Sequence, residues 1–410
     1  VDVTNGSAGD DLPLSGIRVL DLSRVIVGPY CAELLGDLGA DVIKVESPEG
    51  DVTREVGPWR NPGMTANFMV FNRNKRSIVL DLKKPAAREV LLEIARTCDV
   101  FVVNFRASAL ERMGLTYKDL AAASPEIVYC RIMGFGEEHP DAHRPAIDDV
   151  VQAMSGLSAV QGELLGSPSF VALPIADLIC GLFAVSGVLA ALHKRQRTGR
   201  GDAVDIRMYD AMASVVLSPH LYGACFEPRL TEPLYKRSVA PSRRPYSTAD
   251  GAICAAPYTT ENWQRLFAEI GLSEVLEDPR YKDKNARAEH LEDLYQLITP
   301  ILEQRTTAEW LEIFERLDIP AAPVRSTASL VEDEYLYEAG ILSLQEHPTE
   351  GLLRVLNGPF RFGEKSTPVR RLPPRLGEHS EEILREAGYD DDDIASLFEQ
   401  GLLSREGAGL

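Results

Sequence analysis

The residues best suited to chemistry stand at Pro174-Ile175-Ala176-Asp177, directly ahead of the run Leu178-Ile179-Cys180-Gly181-Leu182-Phe183-Ala184-Val185-Ser186-Gly187-Val188-Leu189-Ala190-Ala191-Leu192. That run is apolar on nearly every face of a helix, so it predicts a buried helix with Asp177 in its first turn. An aspartate there is expected to cap orphan backbone N–H groups, and the positive end of the helix dipole favours its ionised form. Capping alone is a structural duty. Fixed at the edge of a core, the same carboxylate is also placed to act as a nucleophile or a base.

The elements that would position it follow the rhythm of a parallel sheet wrapped by helices. Strands are expected at Ile17 to Leu22, Val42 to Val45, Ser77 to Leu80, Asp99 to Val103, Ile127 to Ile132 and Ala203 to Met208. Helices are expected between them at Tyr30 to Leu38, Ala86 to Arg96 and Ala109 to Met113. Ligands of open α/β sheets bind beyond the carboxyl ends of the strands, here Ser23-Arg24-Val25, Asn104-Phe105-Arg106 and Met133-Gly134-Phe135. Ser23-Arg24-Val25-Ile26-Val27-Gly28 replaces the GxGxxG of a dinucleotide site, which disfavours an NAD-dependent dehydrogenase.

With 410 residues and a formal charge of −19, the chain suits a two-domain soluble enzyme and not a general nucleic-acid binder. Six cysteines, Cys31, Cys98, Cys130, Cys180, Cys225 and Cys254, are scattered without a CxxC pair. They read as reduced core residues of a cytoplasmic protein, with neither disulfides nor a metal site. Val1 to Pro13 is polar and Gly-rich without a signal pattern, and is expected to be a disordered tail. Gly181, Ser186 and Gly187 interrupt the apolar run, so no membrane span is expected. Residues 54 to 112 carry a local basic excess: Arg54, Arg60, Arg73, Lys75, Arg76, Lys83, Lys84, Arg88, Arg96, Arg106 and Arg112.

Further on, residues 219–245 read as a linker rich in Pro, Arg and Tyr. A small α+β domain is expected over 246–324, opened by a hairpin with Asp250-Gly251 at its turn and continued by helices at Thr260 to Ile270, His290 to Gln304 and Thr307 to Leu317. Late strands at Gly351 to Val355 and Pro359 to Phe362 and acidic tail helices from Ser380 and Asp391 complete 325–410, assigned to the large domain that begins with 14–218.

Pro-Ile-Ala-Asp-Leu-x-x-Gly, with a long helix ending in His193-Lys194-Arg195-Gln196-Arg197-Thr198-Gly199-Arg200-Gly201, resembles the signature of class III coenzyme A transferases, the formyl-CoA and carnitine CoA-transferase group. Gly16 to Leu22, Gly28-Pro29, Leu38 to Glu46, Asn74 to Ile78, Asn104-Phe105, Pro359-Phe360 and Leu376 to His379 extend the likeness in fixed order over roughly residues 14 to 400. The resemblance implies a Rossmann-like large domain, a smaller α+β domain, and a homodimer of interlocked rings. It implies Asp177 as the nucleophile that carries an aspartyl-CoA intermediate, with CoA and acyl-CoA as substrates and no permanently bound cofactor. Coenzyme contacts are implied at Val25, Ile26, Phe71, Asn72, Arg73, Asn74, Asn104, Phe105, Arg106, Arg112, Met133, Gly134 and Phe135.

Some positions depart from the pattern. A basic residue expected near Ser47 and a lysine expected near Met133 are missing, which shifts phosphate recognition toward Arg73, Lys75 or Arg106. Arg237 to Tyr246 replaces the glycine run that covers the active site in formyl-CoA transferases, and its Arg237, Arg243 and Arg244 are suited to pairing the second carboxylate of an acid such as succinate. Racemases of 2-methylacyl-CoA also resemble this chain, but the histidine they need aligns with Ile147; His139 and His143 lie nearby in a polar loop. A non-catalytic CoA-binding protein is the third alternative, and it requires a dispensable Asp177.

Overall fold

A computed structural model of the chain describes residues 12–281 and 283–403. Most of the tail expected at residues 1–13 lies outside them. All six expected strands form, as β1 (Arg18–Asp21), β2 (Asp41–Glu46), β3 (Lys75–Val79), β4 (Val100–Val103), β5 (Val128–Met133) and β6 (Asp202–Arg207). They pair in the order β3-β2-β1-β4-β5-β6, every pair parallel, which is the doubly wound order with its switch point at β1 and β4. In register, Val19 of β1 faces Val42 on one side and Val100 on the other. Such apolar runs suit strands covered on both faces.

One core is built from Leu20, Ile43, Ile78, Phe101 and Tyr129 with the helices Pro85–Arg96, Ser380–Glu386 and Asp391–Glu399. Phe101 and Tyr129 stack with ring centres 5.4 Å apart. The long helix Ile175–Thr198 packs against β5, β6 and the helix Val27–Asp37. Two glycines permit that approach: a Cβ at Gly181 would lie 2.9 Å from the Tyr30 ring, and one at Gly187 2.6 Å from Val204.

This helix differs from the sequence expectation in two respects. It is 24 residues long, and an 18-residue stretch of it reaches a mean hydropathy of 2.2, long and apolar enough to cross a membrane despite Gly181, Ser186 and Gly187. Only one face is buried, because only one face meets the sheet and its neighbours. Leu182, Phe183 and Leu189 remain exposed, at 47%, 42% and 36%.

The chain divides into two compact units. The first comprises residues up to Met154, Ala172–Met212 and Glu334 onward; the second comprises Ser155–Val171 and Ala213–Asp333. The expected linker 219–245 therefore groups with the second unit, as does 155–171, whose helix Leu157–Leu165 packs on the short turn Lys236–Val239. A linker reading follows from Pro and Arg content, which does not register such packing. The second unit has a three-stranded antiparallel sheet, β7 (Tyr246–Ser247), β8 (Ala252–Ala255) and β9 (Ala321–Pro323). Trp263, Phe267, Trp310 and Phe314 fill its core, and the Trp310 indole donates to the Leu302 carbonyl at 2.8 Å. The hairpin turn is closed by the Thr248 N–H donating to the Gly251 carbonyl at 3.0 Å, and Asp250 ties it to the helix Thr307–Arg316 by accepting from the Thr307 N–H at 2.8 Å.

Of the six cysteines, Cys31, Cys98, Cys130 and Cys180 are buried and unpaired, but Cys225 and Cys254 are exposed, against the expectation of six core thiols. Their segments are an irregular turn and an outward position on β8.

Candidate active site

The turn leaving β1 is held from three sides. Asp21 accepts from the Ser23 N–H at 3.0 Å and from its hydroxyl. Asn104, beyond β4, clamps Arg24 by accepting from its N–H at 2.9 Å and donating to its carbonyl at 2.8 Å. Lys44 donates to the Ser23 carbonyl and to Asp51, both at 3.1 Å, and Asp51 in turn accepts from the Val25 N–H at 3.3 Å. So held, Val25 sits at φ 70°, a conformation costly for a β-branched residue.

Beside this turn lies a cavity of about 330 Å³. It is lined by Val25, Ile26, Asn104, Phe105, Arg106, Met133, Gly134, Phe135 and Asp177, so nine of the residues expected from sequence converge on it. Arg24, Arg131, Arg144 and Ile147 line it as well and were not among the expected contacts. Arg24 lies over the Phe105 ring at 5.3 Å, while Arg131 pairs with Asp205 and Glu137, and Arg144 with Asp141. Arg106, at the start of the helix Ala107–Met113, is exposed, and its side chain has no hydrogen-bond or ion-pair partner among the described residues. It is a cation free to meet an anionic ligand.

The remaining expected contacts do not line this cavity. Arg73 is buried between Glu33, at 2.5 Å, and Asp37, at 2.6 Å. Asn72 accepts from Lys75 at 2.9 Å and donates to the Phe68 carbonyl at 2.8 Å. Asn74 donates to Asp37 at 2.9 Å and accepts from the Arg370 N–H at 2.7 Å. Phe71 meets the Tyr30 ring edge-on at 6.1 Å, and Arg112 is exposed at the end of its helix. Lys75 is likewise buried against Asp21 at 2.9 Å, and Arg54 against Glu46 at 2.7 Å. Much of the local basic excess is thus neutralised inside the fold. Its partners Asp21, Glu33, Asp37 and Glu46 lie on other elements, so counting charge along the chain misses them.

Asp177 departs from the expected cap. It is the third residue of its helix, behind Pro174, which makes no side-chain cap. The capping carboxylate comes instead from Asp148, at the start of the helix Asp148–Met154. One Asp148 oxygen accepts from the N–H groups of Ala176 at 2.7 Å and Asp177 at 3.0 Å, and the other from the Gln152 amide at 2.6 Å. Freed from capping, the Asp177 carboxylate receives no hydrogen bond from the described residues. Burial, with its side chain in a residue only 8% exposed, pushes its pKa up, and the nearby Asp148 and Asp149 charges push it further, to about 7. The helix dipole therefore does not dominate, contrary to the expectation of a firmly ionised cap. A carboxylate so desolvated is a stronger nucleophile and base when ionised.

Residues 14–380 match CoA-transferase family III. The chain belongs to that family. It is 33% identical over 398 residues to succinyl-CoA:glutarate CoA-transferase of Mus musculus, covering 96% of this chain and 91% of that protein. It is 33% identical over 390 residues to succinyl-CoA:mesaconate CoA-transferase of Haloarcula hispanica, covering 92% and 96%. A crystal structure of a CAIB/BAIF family protein from Brucella suis superposes with a TM-score of 0.78 at 30% identity, over 92% of this chain and 99% of that one. The chain is a CoA-transferase, and acyl-CoA thioesters are its substrates.

Proposed function

We propose that this CoA-transferase moves CoA between an acyl-CoA and a free dicarboxylic acid of the succinate or glutarate kind, with Asp177 as the covalent relay. The observation that carries the reading is a nearly buried carboxylate, relieved of capping by Asp148, in the same cavity as the β1, β4 and β5 loops. The relatives' names supply the acid class.

In the proposed cycle an ionised Asp177 oxygen attacks the donor thioester and expels CoA thiolate, giving a mixed anhydride. The thiolate attacks the aspartyl carbonyl and releases the donor acid, leaving an aspartyl-CoA thioester. The acceptor carboxylate then attacks that thioester, and returning thiolate takes the acceptor's acyl group. Thioester, anhydride and carboxylate exchange without net loss of activation, whereas a serine ester would trap it. A proton-transfer reaction is disfavoured: Ile147 lines the cavity where a racemase needs histidine, and His139 does not line it but stacks on Phe135 at 4.8 Å with its Nδ1 accepting from the Asp141 N–H at 3.0 Å.

The proposal includes a homodimer in a reducing, cytoplasmic setting. Exposed Leu182, Phe183 and Leu189 on the long helix form an apolar face suited to a second copy. A monomer retaining native circular dichroism at nanomolar concentration would exclude the interlocked form. For the chemistry, incubation with succinyl-CoA followed by hydroxylamine and peptide mass spectrometry should find the hydroxamate on the Asp177 peptide; turnover with that peptide unmodified would remove Asp177 as the relay.

A further inference from the structure

The second unit carries an unbalanced cluster of positive charge. Arg237, Arg243 and Arg244 line one cavity of about 210 Å³, whose other walls are Pro245, Tyr246, Cys254, Ala255, Ala256, Pro257 and Tyr295. Several arginines in the fold close on carboxylates, as Arg54 does on Glu46, Arg73 on Glu33 and Asp37, and Arg131 on Asp205. Here they do not. The Arg243 and Arg244 side chains make no hydrogen bond or ion pair among the described residues. Arg237 has no ion pair among the described residues, and its guanidinium lies over the Tyr258 ring, 4.9 Å from the centroid.

Glu292 is the acid that senses Arg244, and its oxygens are already occupied. They accept from the Ser242 N–H at 3.0 Å, the Ser242 hydroxyl at 2.5 Å and the Gln296 amide at 2.8 Å. The Lys284 ammonium, 5.9 Å from the centre of the Tyr258 ring, adds to the positive field. Arg243 and Arg244 are exposed at the rim of the cavity, and like charges gathered around a concave surface repel one another unless an anion joins them.

We propose that this cavity is a binding site for a small dicarboxylate, gripped by Arg243 and Arg244 with Arg237 behind. Guanidinium forks match carboxylates in paired hydrogen bonds, and two carboxylates answer the excess charge better than one. At roughly 30 Å³ per water the cavity has room for several waters, hence for a short carbon chain, whose methylenes would lie on Ala255, Ala256 and Pro257. The choice of a dicarboxylate over phosphate rests on the proposed acid specificity. The site itself needs nothing from Asp177.

The test is site-resolved arginine protection on the full-length protein. Phenylglyoxal should modify Arg243 and Arg244, as read by peptide mass spectrometry, and glutarate or succinate should slow that modification saturably. Acetate and sodium chloride at equal ionic strength should protect far less. Asp177→Asn should leave protection unchanged, which separates this site from the relay: loss of activity without loss of protection is expected, and protection that vanishes with Asp177→Asn overturns the proposal. Arg243→Gln/Arg244→Gln should weaken glutarate protection of Arg237 by about tenfold or more, the scale for charged hydrogen bonds. Protection by inorganic phosphate but not by dicarboxylates, or no protection by either, also overturns it.

Discussion

Replacing Asp177 by Asn should make the protein more stable while disabling it, and the gain should depend on pH. The native pKa of about 7 stands against 3.8 for the group in the unfolded chain, a difference worth roughly 4 kcal/mol. The native pKa is raised, so this group's contribution is fully present below the unfolded pKa and is lost as pH rises through about 7. Wild type above pH 7 therefore carries a buried, repelled charge that a neutral amide of the same size does not. The variant's advantage should approach an upper limit of about 4 kcal/mol at pH 8 and fall below about 1 kcal/mol near pH 4. Urea denaturation of both proteins across this range measures it, and turnover should fall by several powers of ten in the variant. A variant no more stable than wild type at pH 8, or an advantage that does not change with pH, would refute the argument that burial and Asp148 hold Asp177 near neutrality.

Two further outcomes follow from the same geometry. The value of kcat/KM should rise with pH up to about 7 and then level off, and Asp148→Asn, which keeps a capping oxygen but removes a neighbouring charge, should move that limb to lower pH; an unmoved limb would take Asp148 out of the electrostatics. Arg106→Ala should raise the KM for acyl-CoA with an unchanged melting curve, whereas Arg73→Ala should lower stability by about 3–5 kcal/mol by stranding Glu33 and Asp37; calorimetric CoA titration and thermal denaturation of each variant would expose a reversal of these roles.

The sheet was legible in the sequence because most of its strands hold a short apolar stretch bounded by Gly, Pro or polar residues, and the loops at the strand ends followed from strand direction. Thus Val25, Asn104, Phe105, Met133 and Phe135 could be assigned to one site. What escaped the sequence were long-range pairings. Asp148 precedes Asp177 by a helix and a loop, so nothing local marks it as the cap, and the Asp177 pattern by itself reads as a self-capped helix. Arg73 and Asn74 read as coenzyme contacts and Lys75 as a phosphate contact because the acids they meet sit on β1 and on the helix Val27–Asp37. Likewise, the apolar run Leu178 to Leu192 predicts a buried helix, but a single chain covers one face.

The most direct measurement of the relay follows oxygen. In the proposed cycle the acceptor carboxylate leaves one of its oxygens on Asp177, and the departing donor acid carries one away. Turnover with a glutarate labelled with oxygen-18 in both carboxylates should therefore put the label first into the Asp177 peptide and then into released succinate, in ordinary water. Continued turnover with that peptide unlabelled would contradict the covalent account and show that CoA moves without an aspartyl intermediate.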